Sequence, residues 1–212
     1  MSLLTSFTSR TFAFLDSAPM VDGELELVEP AERWIDDVLL SCRHPLTQRD
    51  MPQQARTTRD GLSIYLKQHP RGRTREDLSR GIVPAYAFWM RLRPEAFPDA
   101  PAFPAPVPMA GGIGLRLSNT ANIELYFGHI GYHVYPPARG RHLAERACRL
   151  LFPLARAHGL RSLWITCNPD NIPSRRTCER LGGQLLDIVP VPRENALYGQ
   201  GDREKCRFRV ST

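Results

Sequence analysis

The segment "GYHVYPPARGRHLAERA" (131–147) decides the fold, because a strand, a basic turn and the start of a helix follow one another in it. Its first residues are aromatic and β-branched, as in strands, and the apolar spacing that follows predicts a helix over about 141–158. The first N–H groups of that helix lack internal partners, and its dipole is positive there. Arg139 and Arg141 add positive charge, and Gly140 lets a ligand approach the backbone closely. The turn therefore suits a phosphate, with a solvated basic loop as the alternative.

The length and composition of the chain indicate a globular protein. Its 212 residues suit one domain, and we expect a tail or docking arm over 1–20 and a single domain over 21–212. The sequence has no apolar run of about 18 residues that would span a membrane. Its N-terminus lacks the charged start and compact apolar stretch of a signal peptide. We therefore predict a cytoplasmic protein without a membrane partner.

The charge of the chain favours an anionic partner. The formal net charge is +6, and Lys67 and Lys205 are the only lysines beside many arginines. Such a balance suits nucleic acid or a phosphorylated small molecule. The arginines are not interleaved with aromatic residues as in base-stacking modules, so no nucleic-acid partner is expected. The five cysteines are scattered without a CxxC pair or zinc spacing, which indicates reduced thiols and no metal.

The order of predicted elements indicates an α/β (α+β) fold with a central mixed sheet of about six to seven strands and helices on both faces. The strand–helix–strand form of 127–168 predicts that strands 127–135 and 161–167 run parallel. Strands are also predicted at 24–30, 84–93, 110–118, 184–191 and 204–210, and helices at 31–45, 61–72, 141–158 and 171–183.

Three stretches are predicted to lie outside these elements. Segment 94–109 contains six prolines and is interpreted as a long, partly polyproline connection between two strands. Segment 51–60 is predicted to be a polar linker, and 71–80 a charged loop. A proline within the helix at 141–158, Pro153, is expected to kink it.

The element order and the opening segment resemble the Gcn5-related N-acetyltransferase (GNAT) family. Its acetyl-CoA motif is a strand ending in V-x-P, followed by R/Q-x-x-G-x-G/A at the start of a helix. The matching residues here are Val134, Pro136, Arg139, His142 and Ala144. His142 stands where the motif usually has its central glycine.

A second segment, "NPDNIPSRRTCERLGG" (168–183), resembles the family's next motif, N-x-x-N-x-x-A/S-x-x-x-Y-E-K-x-G-F. The likeness covers about residues 110–190 by motif and 24–93 by element order. It implies acetyl-CoA as acyl donor, with the pantetheine arm between the two splayed strands and the pyrophosphate on the N–H groups across 139–144. The implied cofactor-binding residues are Val134, Tyr135, Arg139, Gly140, Arg141, His142, Leu143, Ala144, Asn168, Asn171, Ser174 and Arg175.

The resemblance also implies direct attack of a neutral amine on the thioester, which requires a group that takes the amine proton. His129 lies near the place where the family often has a catalytic Glu, and its ordinary pKa suits a base; the alternative is a structural histidine. His133 shares the predicted strand face and ranks second, and Glu124 is weaker. Cys178 occupies the position of the family's acid Tyr, so it is a proton donor, the site of an acyl-cysteine relay or a small packing residue.

The sequence therefore predicts an acetyl-CoA-dependent N-acetyltransferase that acts on a small-molecule or peptide amine. A non-catalytic CoA-binding sensor of the same fold is the alternative, and a nucleic-acid binder ranks last. The strands after residue 184 leave a homodimer open. Five aromatic residues are candidates for the acceptor side: Trp34, Tyr65, Tyr86, Phe88 and Trp89. For Trp34 and Phe88 a position in the core is the preferred interpretation.

Overall fold

Eight strands form two antiparallel sheets in the computed structural model, which describes residues 14–16, 18–69, 72, 77, 81–93 and 107–212. The fold class is confirmed as α/β with helices on both faces, but the strands are divided between two sheets. The five-stranded sheet has the order β1 (Met20–Asp22), β2 (Leu25–Val28), β3 (Ala85–Leu92), β4 (Met109–Arg116), β5 (Ile130–Val134). The three-stranded sheet has the order β6 (Ser162–Cys167), β8 (Glu204–Ser211), β7 (Gln184–Pro190).

Seven α-helices, with short 3₁₀ turns at Glu32–Trp34 and Pro136–Ala138 and a π-turn at Ile123–Phe127, complete the described part of the chain. The predicted linker 51–60 is wrong, because Pro52 begins one helix and Thr58 caps the next. The helices are α1 (Ile35–Cys42), α2 (Pro45–Asp50), α3 (Pro52–Ala55), α4 (Arg59–Gln68), α5 (Leu143–Ala157), α6 (Ile172–Arg180) and α7 (Ala196–Gly199).

The five-stranded sheet has an apolar core on each face, because side chains alternate along its strands. In β3, Phe88 and Met90 belong to the larger core with α5, whereas Trp89 belongs to a second core with α1 and α4. Helix α5 contributes a buried stripe to the larger core and continues through Pro153. The two faces of the sheet are therefore covered by different elements: α5 packs on one face, and the shorter helices α1 and α4 pack on the other.

The two sheets meet at one hydrogen-bonded junction, here called the seam, formed by His129 and Trp164. The His129 N–H donates to the Trp164 carbonyl (2.7 Å), and the Trp164 N–H donates to His129 Nδ1 (2.9 Å). Beyond it β5 and β6 share no described ladder, so the predicted parallel pairing is wrong for most of their length. The strands separate there, and a small cavity between them is lined by Ile130, Tyr132 and Cys167.

The seam fixes His129 as a neutral ring. Nδ1 accepts a backbone N–H, so the proton is on Nε2, which donates to Asn119 Oδ1 at 3.0 Å. The side chain is 1% exposed. Burial, together with the nearby charge of Arg116, lowers the pKa of His129 to about 4.

Several predictions fall on residues outside the described part of the chain. These are residues 1–13 and 17 of the N-terminal arm, most of the charged loop 71–80 and residues 94–106 of the proline-rich connection. The described Leu15 donates its N–H to the Tyr86 hydroxyl at 2.7 Å, so this end of the arm contacts the domain. None of the described helices has the length and apolar character needed to cross a membrane.

Replacing His129 with Gln should destabilise the fold by about 1–3 kcal/mol at pH 7.5, because the N–H of the half-buried Trp164 loses its acceptor. The folded-state pKa of His129 lies below its unfolded value near 6.5. Its contribution is therefore present above pH 6.5 and lost as the pH falls toward 4. Urea unfolding at several pH values should show a shallower loss of stability over this window in the variant.

The control for this experiment is His142→Gln, which removes a histidine whose side chain is 58% exposed. It should leave stability at pH 7.5 nearly unchanged. Equal losses in the two variants would contradict a special role of the seam.

Candidate active site

A cleft of about 740 Å³ lies where the end of β5, the turn before α5 and the start of α6 converge. Eight of the twelve predicted cofactor-binding residues line it: Val134, Arg139, Gly140, His142, Leu143, Ala144, Asn171 and Ser174. The other four, Tyr135, Arg141, Asn168 and Arg175, do not line it. The two sequence motifs are therefore brought to one cleft, although some of their side chains turn elsewhere.

The start of α5 presents free backbone donors to the cleft. The first helical hydrogen bond runs from the Arg146 N–H to the His142 carbonyl at 3.0 Å, so the N–H groups of Leu143 and Ala144 have no helical partner. Gly140 has φ 83°, and a Cβ there would meet nothing within 4 Å. With the positive end of the helix dipole, this open turn suits an anion.

His142 has φ 55° and is the only non-glycine residue with positive φ in the described ranges. It is the N-cap of α5 and adopts the left-handed conformation that glycine reaches without strain. The departure from the family's glycine therefore changes the side chain and leaves the backbone conformation of a glycine. The His142 ring is largely exposed, 4.0 Å from Glu145.

The edge of β5 that faces the cleft carries its own free donors and acceptors. Along an antiparallel strand, successive residues direct their backbone groups to opposite sides. The His129 carbonyl and the Tyr135 N–H both bond to β4, at 2.7 Å each. The backbone groups of Tyr132 and Val134 therefore point to the open edge, and Arg139 Nε already donates to the Val134 carbonyl at 3.1 Å.

Tyr135 is accordingly not placed as the sequence predicted. Its N–H is used in the sheet, and its side chain is 6% exposed and accepts a hydrogen bond from the Cys42 thiol at 3.3 Å. Tyr132, which the motif comparison missed, takes its place at the cleft. The alternation of residues along the strand is the signal that would have predicted Tyr132, in place of Tyr135, at the cleft.

Arg141 and Asn168 hold the scaffold together instead of lining the cleft. Arg141 Nη2 is 3.0 Å from Glu24 Oε1, and Arg146 also pairs with Glu24 at 2.7 Å. These contacts lower the pKa of Glu24, chiefly through the Arg146 hydrogen bond. Asn168 accepts from Lys205 at 2.7 Å and donates to Asp202 at 2.6 Å.

Helix α6 presents Arg176 to the cleft, not the predicted Arg175. Arg175 Nη1 donates to the Pro169 carbonyl at 3.2 Å, on the other side of the helix start. Arg176 is exposed and lines the cleft together with Arg180, which pairs with Glu145 at 2.9 Å. The four-residue spacing of these two arginines is a helical signal that the sequence contained.

Two predicted features of α6 are found at its start. The Asn171 side chain caps the helix by accepting the Ser174 N–H at 3.2 Å, as predicted. The Ser174 hydroxyl is hydrogen bonded to the Tyr132 hydroxyl at 2.9 Å. This bond ties the start of α6 to the exposed edge of β5, so both sides of the cleft are connected.

A second cavity of about 500 Å³ lies on the other side of β5 and shares Tyr132 and His133 with the cleft. Three of the aromatic candidates line it, namely Tyr65, Phe88 and Trp89. Trp34 and Tyr86 do not: Trp34 contacts the guanidinium of Arg91 at 5.0 Å, and Tyr86 is 4% exposed. The two cavities therefore meet at the middle of β5.

Of the proton-transfer candidates, His133 is the one that faces both cavities. Its ring lies directly over Gly112: a Cβ added to Gly112 would lie 3.0 Å from the Cε1 atom of the ring. No hydrogen bond to its ring nitrogens is formed within the described residues. Burial lowers the pKa of His133 below its ordinary value, so the ring is neutral at pH 7 with a lone pair to offer.

His129, Glu124 and Cys178 lie elsewhere. Both ring nitrogens of His129 are used in and beside the seam, and His129 and Glu124 line a separate small cavity. Cys178 is fully buried in the larger core, and its contact with Cys167 together with burial raises the pKa of its thiol. These positions favour the alternatives of a structural histidine and a packing cysteine.

Comparison with known proteins shows the family to which this chain belongs. A family model, the acetyltransferase (GNAT) domain, matches residues 28–184, and the chain belongs to that family. No curated protein sequence matches the chain.

Three solved structures share the fold. The self-immunity acetyltransferase MccE for microcin C7, in complex with acetyl-CoA and AMP, has a TM-score of 0.61 at 17% identity over 90% of this chain and 94% of its own. A GCN5-related N-acetyltransferase from Brucella melitensis has a TM-score of 0.60 at 17% identity over 92% and 78%. RimL, the ribosomal L7/L12 alpha-N-protein acetyltransferase, in complex with coenzyme A, has a TM-score of 0.58 at 17% identity over 92% and 98%.

Replacing His142 with Gly should leave the free energy of unfolding unchanged or raise it by up to about 1 kcal/mol, because the left-handed backbone at this position no longer carries a Cβ. The matched control is Gly140→Ala, which introduces a Cβ at φ 83° without a steric contact. It should cost about 1 kcal/mol from backbone strain alone. A large loss of stability in His142→Gly, measured by thermal unfolding, would show that the imidazole itself supports the turn.

Proposed function

We propose that this protein is an acetyl-CoA-dependent N-acetyltransferase that acetylates the amine of a small molecule or peptide. The observation that carries the proposal is the meeting of two different cavities at Tyr132 and His133. One has an anion-binding helix start, and the other is lined by aromatic side chains. This arrangement suits a phosphorylated donor on one side of β5 and an acceptor on the other.

The residues of the cleft fit the chemical groups of acetyl-CoA. The Leu143 and Ala144 N–H groups and the exposed Arg176 suit its phosphates. The open edge of β5 at Tyr132 and Val134 suits the amides of pantetheine, which would extend the sheet like an added strand. The acetyl thioester supplies an activated acyl group.

The reaction that these residues support is R–NH₂ + CH₃CO–SCoA → R–NHCOCH₃ + HSCoA. The Tyr132 N–H, free at the edge of β5, donates to the oxygen that becomes negative when the amine attacks. His133 accepts the proton that the amine loses, directly or through one water. The apolar walls of the second cavity exclude water, which strengthens the Tyr132 hydrogen bond to the oxyanion and the interaction of the amine with His133.

The sensor alternative loses one of its two supports. His142 adopts the backbone conformation of the glycine that it replaces, so this departure does not argue against donor binding. The buried Cys178 still leaves the leaving thiolate without an acid from α6. Tight acetyl-CoA binding without CoA release across a broad amine panel would favour the sensor, and the absence of a thermal shift with millimolar acetyl-CoA would exclude both.

Replacing Arg176 with Gln should weaken acetyl-CoA binding about fivefold, because an exposed charge pair contributes about 1 kcal/mol. The difference should shrink as salt rises. The matched control is the neighbouring Arg175→Gln, whose guanidinium binds the Pro169 carbonyl and should matter little for affinity. Isothermal titration of both variants tests this, and the reverse order of effects would contradict the orientation of α6 described here.

Replacing His133 with Gln should lower kcat about a hundredfold or more, with acetyl-CoA affinity nearly intact, because a positioned base is lost. The pKa of His133 lies below 6.5. Once divided by the fraction of neutral amine at each pH, the wild-type kcat/KM should therefore be level near pH 7–8 and fall at lower pH, where the His133 ring takes up a proton, and the variant should lack this fall. His129→Gln is the comparison: a larger loss of turnover there, in folded protein, would return the role of base to His129.

A further inference from the structure

The second cavity has a floor that is nearly free of side chains. Across three strands, Ala87 lies opposite Gly114, and Gly114 lies opposite Gly131. The neighbouring row is Trp89, Gly112 and His133. The cavity therefore has room for the body of a ligand over the Gly114 row, with the His133 ring at one end.

Arg116 closes the other end of this floor. It lies two residues beyond Gly114 on the same face of β4. Its guanidinium reaches back over Gly131, where a Cβ would come within 3.2 Å of Nη1. Nη1 donates to the carbonyls of Phe127 and Gly128, at 3.2 and 3.1 Å.

The charge of Arg116 is not neutralised by the protein around it. Within the described ranges no carboxylate pairs with Arg116, and none lines the second cavity. Burial lowers the pKa of Arg116, which reflects the cost of a desolvated cation without a counter-ion. A ligand carboxylate at Nη2 or Nε would supply this missing partner, whereas a second cationic group would be repelled.

The spacing of His133 and Arg116 restricts the ligand further. Adjacent rows on one face of a sheet are two residues apart, about 7 Å. Because the guanidinium lies over Gly131 and the His133 ring lies over Gly112, one row away, we take the separation of a carboxylate at Arg116 and an amine at His133 to be about one row spacing, ~7 Å. An extended dipeptide spans about 7 Å between its ends, whereas the amine and carboxylate of a single α-amino acid share one carbon.

We infer that the acceptor is an amine that carries a carboxylate about 7 Å away, of dipeptide size, with its carboxylate on Arg116 and its amine at His133. This inference rests on the acetyltransferase activity proposed above. The flat walls of Trp89 and Tyr65 add a place for an apolar or aromatic side chain between the two ends.

The test compares glycylphenylalanine with its C-terminal amide, which differ only in the charge that Arg116 would bind. With saturating acetyl-CoA, release of CoA thiol should give a kcat/KM at least tenfold higher for the free acid. In Arg116→Met the preference should fall to within about twofold, and Arg116→Lys should restore part of it. Acetyl-CoA affinity, measured by titration, should stay near the wild-type value in both variants, which shows that they are folded.

The outcomes separate this inference from the proposed function. If acetyl-CoA binds and the amide, or the diamine putrescine, is acetylated as fast as the acid, the acceptor inference is overturned and the acetyltransferase stands. A preference for the acid that persists in folded Arg116→Met also overturns it. If neither peptide is acetylated while other amines are, the inference fails alone, and if acetyl-CoA does not bind, both proposals fail.

Discussion

The pair of hydrogen bonds between His129 and Trp164 is the constraint on which the rest of the site depends. Two antiparallel sheets meet there, and nowhere else along β5 and β6 do the described strands share a ladder. If the pairing continued, β5 would have no free edge. If it were absent, α6 would be held opposite that edge only by side-chain contacts such as the Ser174–Tyr132 bond and the Arg180–Glu145 pair. A single buried junction thus gives a strand whose start is fixed and whose end is open to a ligand.

That open strand organises the chemistry. One edge of β5 belongs to the sheet, and the other presents the backbone groups of Tyr132 and Val134 to the cleft. On the sheet face, His133 projects into the second cavity over Gly112. The turn after β5 then delivers the positive end of α5. In the proposed reaction, donor, acceptor and base would therefore meet around the five residues of β5.

The sequence predicted this region well because its signals are local. The N-cap at Asn171, the helix end at Gly182 and the turn before α5 each follow from neighbouring residues. The failures are tertiary. Whether Tyr132 or Tyr135 faces the cleft depends on the ladder with β4, and whether Arg175 or Arg176 does so depends on a helical rotation of about 100° per residue. The pairing of Arg141 with Glu24 joins positions 117 residues apart, and no local pattern reveals it.

The Glu24 carboxylate has an expected kinetic consequence for the acetyltransferase proposed above. It neutralises Arg141 and Arg146 beside the anion-binding turn, and these contacts keep it ionised by lowering its pKa. Acetyl-CoA and coenzyme A bear the same phosphates. Every additional cation at this turn would therefore slow the release of coenzyme A as much as it strengthened the binding of acetyl-CoA. In enzymes whose turnover is limited by release, a nearby counter-charge speeds the cycle. In the proposed reaction, Glu24 would therefore limit how tightly the turn before α5 holds the product, coenzyme A.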